Sequence, residues 1–332
     1  MNAQTTKKYF VLLMIFLLSA PLYLWSGSSR PDSLKEPERI FENYGFSGKT
    51  PVDRRIKKSP PFVLTYLKNL DGRDDYSDHE LTPEELEIIK KSIELLPAGT
   101  RRTMEERLLG IYFINNFLGS GFADWVLDKE NNFYVFLVFN PVVLKKNISQ
   151  TITDKEKTCF IPNDPSYEIY LDCGTELSGF YYILLHETAH LVDYVSQVTP
   201  YTEEEVKIYK NIIKPSTPFI SGVWKTYNKT IEEYTFRKEV TFYGFHKGPR
   251  INISRAPEIY RALSMTPLPT LYGTLNWAED IAEMLTFYHI TEKLKYPFII
   301  KVLKNGKEIY RLEPMKNPHI RKRLRHLEIF YR

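Results

Sequence analysis

The sequence predicts an α+β fold of two lobes, with a small twisted sheet and one long buried helix at its centre. Three observations carry this. Of 332 residues, 43% are hydrophobic, enough for a sizeable core in one large domain or two small ones. Helix-capping signals and short β-branched or aromatic runs follow one another from about residue 82, the mixture expected when helices and a modest sheet share a core. The third is the apolar stretch Phe180 to Leu185, which runs without Gly or Pro into a polar motif and on to Val195, with Leu177, Tyr181, Leu184, Leu191 and Val195 forming a helical stripe. A net charge of +4 from 45 basic and 41 acidic residues is nearly balanced, and no nucleic-acid-binding motif is present.

The chain divides into residues 1–28, 29–80 and 81–332. Lys7 and Lys8 precede the uncharged run Tyr9 to Trp25, which reads as a signal peptide or an uncleaved signal anchor. Small residues at Ser26 to Ser28 permit cleavage. Uncleaved, the segment anchors the chain in a membrane with the remainder outside the cytoplasm; cleaved, it leaves a periplasmic or secreted protein. Residues 29–80, with five prolines and the acidic loop Asp71 to Asp78, read as a linker and variable extension in which Phe62 to Leu67 is a short strand or a docking arm.

Thr82-Pro83-Glu84-Glu85 spells a capping box with proline at the first helical position, opening a helix to Leu96. A second helix is expected from near Thr103 through Leu108, Ile111 and Ile114 to Phe117. Trp125 to Leu127 and Phe133 to Phe139 flank a polar turn as a hairpin, and Tyr167 to Leu171 is a further strand. The stretch from about 200 to 260 is an insertion or the start of the lower lobe, helical from Thr202 to about Tyr243 with a break near Pro215; His246 sits in a surface loop. Tyr296 to Leu303, Asn305-Gly306 and Glu308 to Tyr310 form a hairpin whose turn favours positive φ. The basic run Arg321 to Arg325 reads as a solvated helix face.

Cys159 and Cys173 are the only cysteines. In an exported protein they pair and close a loop beside the cleft; in a reducing compartment they are two small core residues.

The polar motif is His186-Glu187-Thr188-Ala189-His190. Histidines four apart on a helix are about 40° out of line, so both imidazoles reach one ion, and these two read as zinc ligands. Glu187, one residue round, is placed to take a proton from water rather than to ligate on the same turn. A catalytic zinc needs a third protein ligand from elsewhere. In Asn276 to Leu285, Glu279 and Glu283 share one helical face: Glu279 is the third-ligand candidate, and Glu283, one turn on, is placed to accept the free N–H of a ligating histidine.

H-E-x-x-H followed by Leu191-Val192-Asp193, with Tyr272 seven residues before Glu279 in an E-x-x-x-E helix, resembles the gluzincin metallopeptidases of the anthrax lethal factor-like group, which includes Pro-Pro endopeptidases. The resemblance covers about Phe180 to Leu285, and the long interval between His190 and Glu279 departs from it. It implies a two-lobed zincin-like fold, zinc on His186, His190 and Glu279, Glu187 as general base, Tyr272 as the phenol facing the oxyanion, and Asp193 and Glu283 as acidic support for the ligands. The expected activity is hydrolysis of peptide bonds in an extracytoplasmic protein or peptide, with a preference for proline resting on the resemblance alone. Two alternatives stand beside it: a non-catalytic binding or structural protein stapled by zinc, and a hydrolase of cell-wall peptides.

Overall fold

The computed structural model describes residues 32–203, 206–207 and 216–332. The apolar run Tyr9 to Trp25, with its signal or anchor reading, lies outside the described residues, as does most of the helix expected after Thr202. Among the described residues no helix is long and apolar enough to cross a membrane.

The fold is mixed α+β with small sheets. Helix α1 (Pro61–Asp71) is followed by the short strand β1 (Ser77–Asp78), helices α2 (Pro83–Glu94) and α3 (Ala98–Arg107), and strands β2 (Leu108–Asn115), β3 (Gly121–Leu127) and β4 (Phe133–Phe139). These strands form one sheet in the order β1-β2-β4-β3; β2 runs parallel to β4, and the other pairs are antiparallel. The hairpin expected between β3 and β4 is present, with Leu127 opposite Phe133 and the Asp128 carboxylate accepting the Glu130 and Asn132 amides across the turn.

Three expectations for this half of the chain are corrected. The helix expected through Leu108 to Phe117 ends at Arg107, and the apolar run is a strand. Ile111 and Phe113 enter the core shared with the long helix, while Leu109, Tyr112 and Ile114 enter a second core on the other side. Burial on both faces removes the alternation that marks a half-exposed strand, so its run of apolar residues imitates a buried helix. Phe62 to Leu67 is helical, with Pro61 in its first turn and Gly72 closing it at φ 62°; it docks as expected, Val63 and Leu67 being fully buried against the second core. The segment read as a linker is packed through its described part: β1 extends the sheet, and the buried Arg55 guanidinium donates to the Met104 and Leu108 carbonyls at 2.8 Å each.

Helix α4 (Ile148–Lys157), the short strand β5 (Phe160–Ile161) and strand β6 (Tyr167–Asp172) lead to the long helix α5 (Gly179–Ser196). Asn147 and Gln150 close a capping box on α4, a signal the sequence reading passed over. Ser178 caps α5, which is buried along nearly its whole length, against the sheet on one side and against α2, α3 and α4 on others. The region after residue 216 is not helical as expected. It forms the two-stranded pair β7 (Trp224–Thr226) and β8 (Lys229–Thr230), then turns, and β9 (Ile251–Asn252) pairs with β5. Helices α6 (Ala256–Ser264) and α7 (Trp277–Tyr288) follow, then β10 (Ile299–Lys304) and β11 (Lys307–Leu312). The expected hairpin turn is there, with Asn305 and Gly306 at φ 50° and 74°, and β10 also pairs antiparallel with β6.

The basic run near the end is not uniformly solvated. Arg323 is buried, and its guanidinium holds the fully buried Asp280 carboxylate at 2.5 and 3.1 Å, pinning the C-terminal segment to α7.

Candidate metal centre

Two helices make the site. On α5 the His186 and His190 rings project from one face with centroids 5.0 Å apart and Nε2 atoms 3.3 Å apart. On α7 the Asn276 side chain accepts the Glu279 amide at 3.0 Å, which fixes the first turn and points the Glu279 carboxylate at the histidines. Glu279 Oε2 lies 3.1 Å from His186 Nε2 and 3.8 Å from His190 Nε2, and one donor atom from each of the three residues falls within 4.8 Å of the others. Packing of α5 against α7 therefore brings together residues far apart in sequence.

Beneath this cluster, Glu283 Oε1 meets three donors: His186 Nδ1 at 3.0 Å, the Tyr182 hydroxyl at 2.7 Å and Lys155 Nζ at 3.1 Å. Glu283 is buried, which works against its charge, yet Lys155 and His186 hold its carboxyl well below the usual carboxylate range. Burial likewise opposes a charge on His186, but its bonds to Glu279 and Glu283 carry the imidazole up to about 9. His190 has no such bonds, and burial pushes it down to about 4. Burial also works against the charge on Glu279, yet the bond to His186 and the field of His190 hold its carboxyl below the usual range. Two imidazole nitrogens and a carboxylate oxygen are a donor set suited to zinc, with Glu283 fixing the ring orientation of one ligand.

Glu187 lies against Gly121 at the start of β3. A β-carbon added at Gly121 would meet Glu187 Oε1 at 2.8 Å and press on Ile183, so only glycine lets the strand come this close. Burial pushes the Glu187 carboxyl up to about 7, against the opposing field of His186. Tyr272 stands beside His186 with ring centroids 5.8 Å apart; Phe242 meets it edge-on at 5.0 Å, and Lys155 Nζ sits 3.4 Å from its ring centre.

His186, Glu187, Tyr272, Lys155 and Tyr243 all line a cavity of about 470 Å³, bounded by the Phe117 to Phe122 turn and the end of α1. Gly121 and Phe122 line it from β3, the outermost strand of its sheet. Farther along β3, Leu127 bridges Ile40 and the Arg39 guanidinium reaches Asp124 at 2.8 Å.

Two candidates fall elsewhere. The Asp193 carboxylate accepts the Thr199 amide and hydroxyl at 2.6 Å each, closing the turn after α5, one helical turn beyond His190. Cys159 and Cys173 are free and buried. Cys173 bonds through its amide to Ser149 in the first turn of α4, and Cys159 follows the last turn, so the helix separates them by roughly 15 Å at 1.5 Å per residue, too far to bridge. His246 lies exposed in its loop. Sequence reasoning missed Lys155, Tyr182, Tyr243 and Gly121. Only the capping box of α4 pointed toward any of them.

Comparison with protein-family models, with curated proteins and with solved structures finds no match for this chain.

Proposed function

We propose that the chain is a zinc-dependent endopeptidase of the gluzincin kind, with a zincin-like, two-lobed arrangement about the cavity that β3 and α5 line. The observation that carries the reading is the convergence of His186, His190 and Glu279 beside a cavity that Glu187 also lines. A purely structural zinc site has no need of a carboxylate poised at an open cavity, which disfavours the alternative of a zinc-stapled binding protein. A hydrolase of cell-wall peptides would keep the same chemistry on another substrate.

His186, His190 and Glu279 would hold the ion. Bound there, zinc supplies a Lewis acid that polarises a carbonyl and makes water easier to deprotonate. Glu187, with its proton affinity raised by burial toward neutrality, takes that proton and returns it to the departing amine. Tyr272 has a hydroxyl with no hydrogen-bond partner among the described residues, free to donate to the oxyanion. The Gly121 to Ala123 end of β3 gives an extended peptide an outermost strand to lie along, beside Glu187. The same proposal places the catalytic part outside the cytoplasm, on the strength of Lys7, Lys8 and the run Tyr9 to Trp25.

Glu187→Gln is the test of mechanism. It should keep stoichiometric zinc while peptide hydrolysis falls by about 10²-fold or more; undiminished hydrolysis would remove Glu187 from the reaction.

A further inference from the structure

We propose that Lys155 is a positioning residue of this site, one that fixes Tyr272 through its ring while sharing with His186 the carboxylate of Glu283; the proposal rests on the peptidase reading above. Lys155 lies in the last turns of α4, is buried, and lines the cavity together with Glu187 and Tyr272. A buried ammonium is costly unless paired, and its three neighbours account for it. Nζ donates to Glu283 Oε1 at 3.1 Å and to the Tyr182 hydroxyl at 2.5 Å. Its third neighbour is no hydrogen-bond acceptor but the face of Tyr272, 3.4 Å from Nζ to the ring centre.

Charge balance for Glu283 would need only the first of these contacts. The third has a consequence for chemistry. With Lys155 on its face and Phe242 at its edge, the Tyr272 ring is held from two sides. A cation on the ring face also draws electron density from the phenol, which makes its O–H a stronger donor to a developing oxyanion. Lys155 thus acts on the reaction through Tyr272, not by touching substrate.

The proposal also fixes the sign of an effect on the metal. Lys155 is a cation near a site for a dication, and it shares Glu283 with His186. Removing it leaves that carboxylate to His186 and the Tyr182 hydroxyl and removes a repulsion, so zinc should be held at least as tightly. A lysine that merely braced the scaffold would, when lost, loosen the site.

The test uses the full chain as wild type, Lys155→Met, Lys155→Gln, Lys155→Arg, Tyr272→Phe and Lys155→Met with Tyr272→Phe. Zn²⁺ affinity is read by competition with a chromophoric chelator, and kcat and KM on a mixed-sequence internally quenched peptide pool. Lys155→Met and Lys155→Gln should bind Zn²⁺ at least as tightly as wild type and lose about thirtyfold in kcat, with KM changed less than about threefold. Lys155→Arg should recover part of the loss. In the Tyr272→Phe background, Lys155→Met should cost less than about threefold, because the group it serves is gone. Unchanged kcat in folded Lys155→Gln, a tenfold loss of Zn²⁺ affinity, or an equal loss of kcat in both backgrounds would overturn the role. A wild type that neither binds Zn²⁺ nor cleaves the pool would overturn the peptidase reading itself, and the role with it.

Discussion

His186 Nδ1 and Glu283 Oε1 lie 3.0 Å apart, and this bond sets the ring angle that points His186 Nε2 at Glu279 and His190. The same oxygen accepts from Tyr182 and Lys155, so one carboxylate of α7 joins groups from α4 and α5.

Glu283→Ala is therefore expected to weaken zinc binding by about 10- to 100-fold while the three ligands remain. Chelator competition on wild type and variant reads this directly. Equal affinities would mean that packing alone fixes the His186 ring.

Gly121→Ala should injure turnover more than metal binding. The added methyl meets Ile183 and the Glu187 carboxylate, and since Ile183 is held in the core, Glu187 has to give way. If Glu187 is the proposed general base, shifting it by part of an ångström costs on the order of tenfold or more in kcat, with zinc content unchanged. Metal analysis and steady-state kinetics on one preparation separate the two effects.

The histidines were legible because their spacing is fixed by helix geometry and needs no tertiary information. Glu279 and Glu283 were legible for the same reason, each by its place on α7, and their convergence on the histidines is what the fold adds. Lys155 carried no such mark: a lysine in an amphipathic helix ordinarily faces water, and only the packing of α4 against α5 buries it. Arg323 is the same case at the other end of the chain, a basic residue in a basic run that turns inward to Asp280. Strand β2 escaped because both its faces are buried. Asp193 was placed by resemblance rather than geometry, and its bonds to Thr199 carried no mark in the sequence.

His289 gives the fold an acid-sensitive joint away from the candidate metal centre. Its ring lies between the Leu95 carbonyl, 2.9 Å from Nε2, and the Tyr331 hydroxyl, 2.8 Å from Nδ1, and burial pushes it down to about 4. A histidine depressed in the folded state binds its proton more readily when unfolded. The stability it contributes is therefore present above its unfolded value near 6.5 and is lost as pH falls toward 4. Denaturation midpoints should decline over that interval, and His289→Gln should flatten the decline while lowering stability at neutral pH. An unchanged slope in the variant would assign the acid sensitivity to other groups.

The central claim is a zinc site completed by Glu279 from a helix remote in sequence. Zinc content by mass spectrometry, on purified wild type and Glu279→Ala in parallel, tests it most directly. The account predicts one zinc per chain in wild type and its loss from the variant during dialysis. Full zinc in both would place the third ligand elsewhere. No zinc in either would leave His186 and His190 as buried residues of a structural helix, contradicting the account.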